Sequence, residues 1–434
     1  MTDLHRMAME AREAFYQLSV SSAEKRNAFL AALADELRSS AEAVFAANQQ
    51  DLRDAETSGL PLPLLHRLRF DESKLEQAVT GLESLQSLPD PIGKTTLATE
   101  IARGMNLYRV TCPIGVIGVI FESRPDALVQ IASLCMKSGN AVLLKGGSEA
   151  AKTNQALTEC IRKALVRAGF HPQTVQLLTS REEVTAMLKE DQLIDLIIPR
   201  GSNAFVRFIM DHSRIPVLGH ADGICHVYID DAADLQMAVD VAVDSKAQNV
   251  SVCNAMETLL IHEKIAPAVL RTLKERFDAC GVSLRGDEQV RRIISCEPAT
   301  DEDWSKEYLD YMLSIRVVSS LEEAIDHINH YGSHHTDCIV TNHQGHAEEF
   351  LRRVDSAGVY WNVSTRFADG FVYGFGAEVG ISTGKIHARG PMGLEGLTTY
   401  KYKLIGSGQT MTDVKKHLIS YTHIPLDLPR SDLP

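Results

Sequence analysis

The feature that most restricts the fold is an alternation that begins at Val116. The run Val116 to Phe121, VIGVIF, is apolar throughout, which suits a parallel strand buried on both faces. ALVQIASLCMKSG then reads as an amphipathic helix closed by Gly139, NAVLLKGG as a strand, and AAKTNQALTECIRKALVRAG as a helix closed by Gly169. TVQLLTS, REEVTAMLKE and LIDLIIPRGS continue as strand, helix and strand, and another helix opens at Asn203. Such units in series dictate a parallel sheet with helices on both faces and ligands at the carboxyl ends of its strands.

A second α/β stretch follows HVYIDD. It contains the helix AADLQMAVDVAVDSKA, a loop around Cys253, the strand METLLIH, the helix IAPAVLRTLKERFDACG and the helix VVSSLEEAIDHINHYG with Ser319 or Ser320 as its cap. The strand DCIVTN, the helix GHAEEFLRRVDSAG and the strand VYWNVS complete it. The first hundred residues read as helices in series, with S-x-x-E boxes at Ser21 to Glu24 and Ser39 to Glu42. A chain of 434 residues exceeds what one core serves, so two α/β domains with a helical N-terminal part are expected. GLTTYKYKLIGSG is strand-like and suited to pairing with another subunit's sheet.

Charge and cysteine usage bound the function. A net charge of -13 argues against a nucleic-acid partner, which needs a basic surface, and an anionic ligand must find local positive potential at helix N-termini or Arg and Lys side chains. No apolar run approaches the roughly 20 residues that span a bilayer. The start MTDLHRMAMEAREAF lacks the uninterrupted apolar region of a signal peptide. Eight cysteines without a C-x-x-C pair read as reduced thiols in a cytoplasmic protein. His334, His335 and Cys338 cluster, but their spacing matches no usual zinc site, so no metal is expected.

Six blocks occur in order: CPIGVIGVIFESRPD, SGNAVLLKGGSEA, IPRGSNAFVRF, GICHVYID, VCNAMETLLIH and EVGISTGKIHARGPMGLEGLTTYK. Together they resemble the glutamate-5-semialdehyde dehydrogenase (gamma-glutamyl phosphate reductase) family of the aldehyde dehydrogenase superfamily over essentially the whole chain. No amino-acid kinase segment precedes them, so the resemblance is to the stand-alone reductase. It implies an aldehyde dehydrogenase-like α/β fold of two Rossmann-like parallel-sheet domains plus a small oligomerisation element. Residues 1–100 and 113–228 are then the NADP-binding domain, 229–370 the catalytic domain, and 101–112 with 395–420 the oligomerisation strands of a homodimer or homotetramer.

The resemblance also distributes roles. Cys253 in C-N-A-x-E-T matches the family's nucleophile, in a loop of small and polar residues from Gln248 to Asn254; a thiolate is the competent group for attack on an acyl carbon. The implied reaction is NADPH-dependent reduction of gamma-glutamyl phosphate through a Cys253 thioester, on the path to proline. In hydrolytic aldehyde dehydrogenases a Glu base lies in an E-L-G-G-K block; LGHADGICHVYID offers no Glu there, which suits a thioester exchanged with phosphate rather than water. His226 reads as a structural histidine rather than a replacement base.

For the cofactor the resemblance points to Lys145 and Ser148 near the adenosine ribose or its 2′-phosphate. Gly201 and Ser202 stand at a helix start able to hold a pyrophosphate, and Glu378 matches the carboxylate on the nicotinamide ribose or is a surface carboxylate. Glu149 beside a phosphate would be unfavourable, and Val206 stands where the superfamily has a second Gly. Oxyanion donors are sought among Ser123, the Cys253 N–H and the Asn254 amide. For the anionic substrate the Arg and hydroxyl groups of Arg124, Ser364, Thr365, Arg366 and Arg389 are the candidates; Arg389 alternatively braces a turn, and Asp369 alternatively holds the substrate's α-amino group. QNVSVC, before the nucleophile, departs from the family's usual Arg-Pro-containing run. Other readings are a hydrolytic or CoA-acylating aldehyde dehydrogenase, and a nucleotide-binding protein of the same fold without turnover.

Overall fold

The computed structural model describes residues 3–428 apart from 123, 220, 221, 376 and 377. Strands β1 (Thr95–Ala102) and β2 (Met105–Pro113) form an antiparallel hairpin. Strands β3 (Val116–Phe121), β4 (Ala141–Lys145), β5 (Val175–Leu178) and β6 (Leu196–Arg200) form a parallel sheet in the order β5-β4-β3-β6. Every residue of β3 is buried, as an apolar run covered on both faces requires.

The two faces of that sheet separate by the two-residue period of a strand. Ile117 and Val119 pack with Phe29, Leu33 and Val44 of the N-terminal helices and with Leu128 and Leu157. Val116 and Ile120 turn the other way, onto Leu4, Ala8 and Ala11 of the helix Asp3–Leu18 and onto Ile209. Gly139 and Gly169 end their helices with φ of +76° and +73°, a conformation glycine adopts without penalty.

A second, parallel sheet joins β7 (Cys225–Ile229), β8 (Met256–His262), β9 (Ser283–Gly286), β10 (Glu297–Pro298), β11 (Met312–Val318), β12 (Thr336–Val340) and β13 (Gly358–Trp361), in the order β10-β9-β11-β8-β7-β12-β13. The sequence reading passed over β9, β10 and β11, and began the following helix too early. MLSIRVV is β11, inserted beside β8, and the helix Leu321–Tyr331 starts only after Ser320, which caps it by accepting from the Glu323 N–H. The N-terminal caps shift similarly. Ser22, not Ser21, caps the helix Ala23–Ser39, and Ser40 opens the next helix without a side-chain cap.

A short pair, β14 (Gly380–Ser382) and β15 (Gly390–Met392), precedes β16 (Thr398–Ile405) and β17 (Tyr421–Pro425). These last two join the hairpin in the order β16-β2-β1-β17. Tyr400, Tyr402, Leu404, Tyr421 and Ile424 of its edge strands are exposed. No helix among the described residues is long and apolar enough to cross a membrane.

Candidate active site

Cys253 sits between the helix Leu235–Ala247 and β8, at the amino end of the second sheet. The carboxyl ends of β3 and β6 in the first sheet supply the opposite wall. Expecting ligands only at carboxyl ends therefore holds for one sheet and not for the other. Half-buried Cys253 is packed from below by Gly223, where an added Cβ would lie 2.3 Å from the Cys253 carbonyl oxygen and 2.7 Å from its Cβ. The Cys225 thiol donates to that same carbonyl at 3.3 Å.

The next residue is held as firmly. The Asn254 amide donates to the Ala368 carbonyl at 2.9 Å and to the Arg366 carbonyl at 3.4 Å, so its N–H groups face the 364–368 turn. The Thr365 hydroxyl donates to the Asn254 carbonyl at 2.7 Å, and the Ser245 hydroxyl meets both the Ser364 hydroxyl and the Thr365 N–H, each at 3.2 Å. Ser364 and Thr365 are buried; their hydroxyls stitch this turn to the nucleophile loop. Arg366 projects from the turn and donates through Nε to Gln248 at 2.9 Å.

The charges around the thiol come from distant segments. Burial, with the facing carboxylates of Glu378 and Glu307, pushes the Cys253 thiol up to about 12, against the opposing pull of its own backbone and of Arg200. The block before the nucleophile holds no Glu; the carboxylates near the thiol come instead from segments that follow it in the chain. Glu378 accepts from the Gly370 N–H at 3.0 Å. Glu307 accepts from the Asn203 amide at 2.5 Å, and burial raises both carboxyl groups above their ordinary range.

Arg200, Glu307 and Gly223 were not singled out from the sequence. Arg200 does fall inside a quoted motif, IPRGSNAFVRF, whose Arg was the available signal. It ends β6 beside Phe121 of β3, and the charges facing it are Glu378, Arg124, Cys253 and Asp126.

On the cofactor side, buried Lys145 ends β4 and donates to the Gly146 carbonyl. Ser148 is exposed just beyond. Ser202 stands at the start of the helix Asn203–His212, and its backbone N–H donates to the Glu122 carboxylate at 3.3 Å. A side chain at Gly201 would run into that carboxylate, at 2.9 Å. The helix start has the donors a pyrophosphate needs, and a bound pyrophosphate would displace the Glu122 carboxylate from them. Val206 is buried within the helix.

On the substrate side, Arg124 precedes the helix Pro125–Lys137 and pairs with Asp126 at 3.1 Å. A cavity of about 610 Å³ opens there, lined among others by Lys74, Gln77, Arg124, Asp126, Gln130 and Phe371. Asp369 accepts from the N–H groups of Phe371 and Val372, at 2.8 and 3.2 Å, and so shapes the turn that brings Phe371 to the cavity. Arg389 is not gathered with these groups: it lines a separate cavity of about 510 Å³, where it donates to the Asp355 carboxylate at 3.1 Å and to the Asp355 carbonyl at 3.0 Å.

His226 is buried on β7, with Nδ1 2.9 Å from the Asp337 carboxylate. Among the described residues the His, Cys and acidic groups whose ligand atoms converge are Asp230, Asp231 and His346, not His334, His335 and Cys338. Asp230 there accepts from Tyr228 and Thr341, and Asp231 from Lys264. Ser123 lies outside the described residues.

Residues 1–292 match the model of the aldehyde dehydrogenase family. The chain is 57% identical over 421 residues to the gamma-glutamyl phosphate reductase of Pelotomaculum thermopropionicum, covering 97% of each. It is 52% identical over 427 residues to gamma-glutamyl phosphate reductase 1 of Synechocystis, covering 98% of this chain and 99% of the relative. The crystal structure of gamma-glutamyl phosphate reductase from Thermotoga maritima superposes with a TM-score of 0.93 at 38% identity, over 94% of this chain and all of that one.

Proposed function

The chain belongs to the aldehyde dehydrogenase family, among the gamma-glutamyl phosphate reductases, and from that premise we propose that it reduces L-glutamyl 5-phosphate to L-glutamate 5-semialdehyde and phosphate through a Cys253 thioester. This is the second step of proline synthesis from glutamate. The observation that carries the reading is the convergence of both walls on one half-buried thiol. The cation of Arg200 and the carboxylates of Glu378 and Glu307 face it, and Arg124, one of the charges facing Arg200, lines the cavity of about 610 Å³.

In the first half-reaction the Cys253 sulfur attacks the acyl carbon, the C–S bond forms and the bond to the phosphate oxygen breaks. The cofactor, when bound, supplies the hydride that releases the aldehyde and returns the thiolate. The Cys253 N–H remains available in role for the developing oxyanion, whereas Asn254 serves by holding the loop. Arg366, anchored on Gln248, and Arg124 suit the substrate's carboxylate. Ser364 and Thr365 act by positioning that arginine, and Arg389 by bracing Asp355.

A nicotinamide dinucleotide would place its pyrophosphate at the helix start of Gly201 and Ser202, where the Ser202 N–H it needs is held by Glu122 and has to be released. NADPH is taken over NADH because Lys145 and Ser148 offer a cation and a donor beside the expected 2′-phosphate. Glu378 and Glu307 are the candidates for the ribose hydroxyls. Glu307 is tied to Asn203 one residue beyond the pyrophosphate seat, which favours it, while Glu378 is tied to the loop that carries Phe371.

Residues 1–100 and 113–228 are assigned to cofactor binding, 229–370 to catalysis, and 101–112 with 395–420, which contribute to the exposed β16-β2-β1-β17 sheet, to assembly of a cytoplasmic homo-oligomer. Its apolar edge residues support that assignment. The deciding experiment is a spectrophotometric assay with pyrroline-5-carboxylate, phosphate and NADP or NAD in parallel. Phosphate-dependent reduction of NADP is expected. Equal activity without phosphate or arsenate would overturn the reading in favour of a hydrolytic enzyme.

A further inference from the structure

The acyl phosphate proposed as substrate brings a doubly charged leaving group into a protein of net charge -13, and into a pocket whose thiol already faces two carboxylates. Some cation must offset that repulsion at the point where phosphate departs. Three guanidinium groups are near enough to be considered. Arg366 is anchored through Nε to Gln248, and Arg124 is paired with Asp126 at the rim of the cavity, with half of its side chain exposed.

Arg200 differs from both. It is the last residue of β6, in register with Phe121 and next to the turn Gly201–Ser202. Contacts run without a break from that turn to the nucleophile. The Asn203 amide donates to Glu307 at 2.5 Å and to Asp222 at 2.9 Å, and Gly223, which follows Asp222, lies against Cys253. Among the described residues no ion pair within 4.0 Å engages Arg200; Glu378 is the foremost of the charges around it, followed by Arg124, Cys253 and Asp126. A guanidinium so placed presents planar donors matched to phosphate oxygens.

We infer that Arg200 is the phosphate seat of this site, binding the leaving group of the acyl substrate and, in the oxidative direction, the inorganic phosphate that cleaves the thioester. The inference rests on the Cys253 thioester reading. In the forward step the acyl C–O bond breaks as the C–S bond forms, and HPO4²⁻ leaves with the proton of the thiol. The reverse step returns that proton to sulfur, with no change of oxidation state in either direction.

The test measures protection of Cys253 from iodoacetamide by inorganic phosphate, at fixed pH and matched ionic strength with chloride, in the full-length enzyme without cofactor. Saturable protection is expected in the wild type. Arg200→Gln should raise the half-protecting phosphate concentration at least about tenfold, the loss of one charge-assisted contact, and Arg200→Lys should restore part of it. NADPH affinity, followed by fluorescence titration, should be little changed.

Equal protection of Arg200→Gln and wild type, or no protection of the wild type, would overturn the inference. Should Arg200→Gln fail to fold, Arg200→Lys decides through its KM for phosphate in the oxidative assay: a raised value at unchanged KM for NADP supports the seat, and an unchanged one removes it. Full turnover by Cys253→Ser would instead defeat the underlying thioester reading.

Discussion

Gly223 packs so closely on Cys253 that a side chain there would meet the nucleophile's own backbone, 2.3 Å from the carbonyl oxygen and 2.6 Å from Cα. Such a clash is relieved only by moving the loop. Gly223→Ala is expected to lower kcat on the order of 10²-fold, the loss that a displacement of about 1 Å produces, with dinucleotide affinity little changed. Steady-state kinetics beside fluorescence titration will check this; unimpaired turnover would show that the loop position is not critical.

Cys253→Ser should abolish reduction while NADPH still binds, because the thiol acts in bond making and not in holding the dinucleotide. Cys112, on β2 of the projecting sheet, should tolerate Ala with most of the activity retained. Loss of dinucleotide affinity in Cys253→Ser would mean the nucleophile has been misplaced.

The charges around the thiol set a pH dependence with a definite sign. With the Cys253 thiol pushed up to about 12 by burial, Glu378 and Glu307, alkylation of the free enzyme should rise about tenfold per pH unit through pH 8 to 10 without a plateau, as the thiolate fraction rises. Removing a facing negative charge favours the thiolate. Glu378→Gln and Glu307→Gln should therefore accelerate alkylation at pH 8, and Arg200→Gln should slow it. A wild-type plateau below pH 8 would contradict this electrostatic account.

Lys246 and Glu257 form a fully buried pair at 2.5 Å, and Glu257 also accepts from the Leu309 N–H at 3.2 Å. Leu309 has φ of +52°, so this acceptor holds a left-handed residue two positions beyond Glu307. Glu257→Ala leaves Lys246 buried without its partner and should cost about 3–5 kcal/mol. The double change Lys246→Met, Glu257→Leu should recover most of that stability but not the activity, since the Leu309 anchor is still missing. Calorimetry and kcat on the three proteins separate the two effects.

If β16 and β17 mediate assembly, Leu404→Lys together with Ile424→Lys places charge on two exposed apolar edge positions and should lower the mass seen by light scattering. An unchanged mass would move the interface elsewhere.

Much of the site was legible where chemistry and chain continuity coincide. The thiol loop before METLLIH, Lys145 at the end of AVLLK, and Gly201–Ser202 at a strand-to-helix turn are local facts, and local sequence signals them. The β3 to β6 alternation was equally plain, because a strand covered on both faces needs an unbroken apolar run. β11 was missed because MLSIRVV runs straight into the next helix's cap, with neither Gly nor Pro to part them. Ser364 and Thr365 look like ligand donors in a string of hydroxyls; only the fold turns them inward onto Ser245 and Asn254.

What the sequence by itself determined is the order of the elements and the reacting atom: buried strands and amphipathic helices announce themselves by periodicity, and a nucleophile by the block that carries it. The tertiary structure decided which charges the thiol feels. Arg200, Gly223, Glu307 and Glu378 are dispersed along the chain and meet only because the carboxyl end of one sheet faces the amino end of the other. Electrostatic influence depends on distance through space, and no spacing along the chain encodes it.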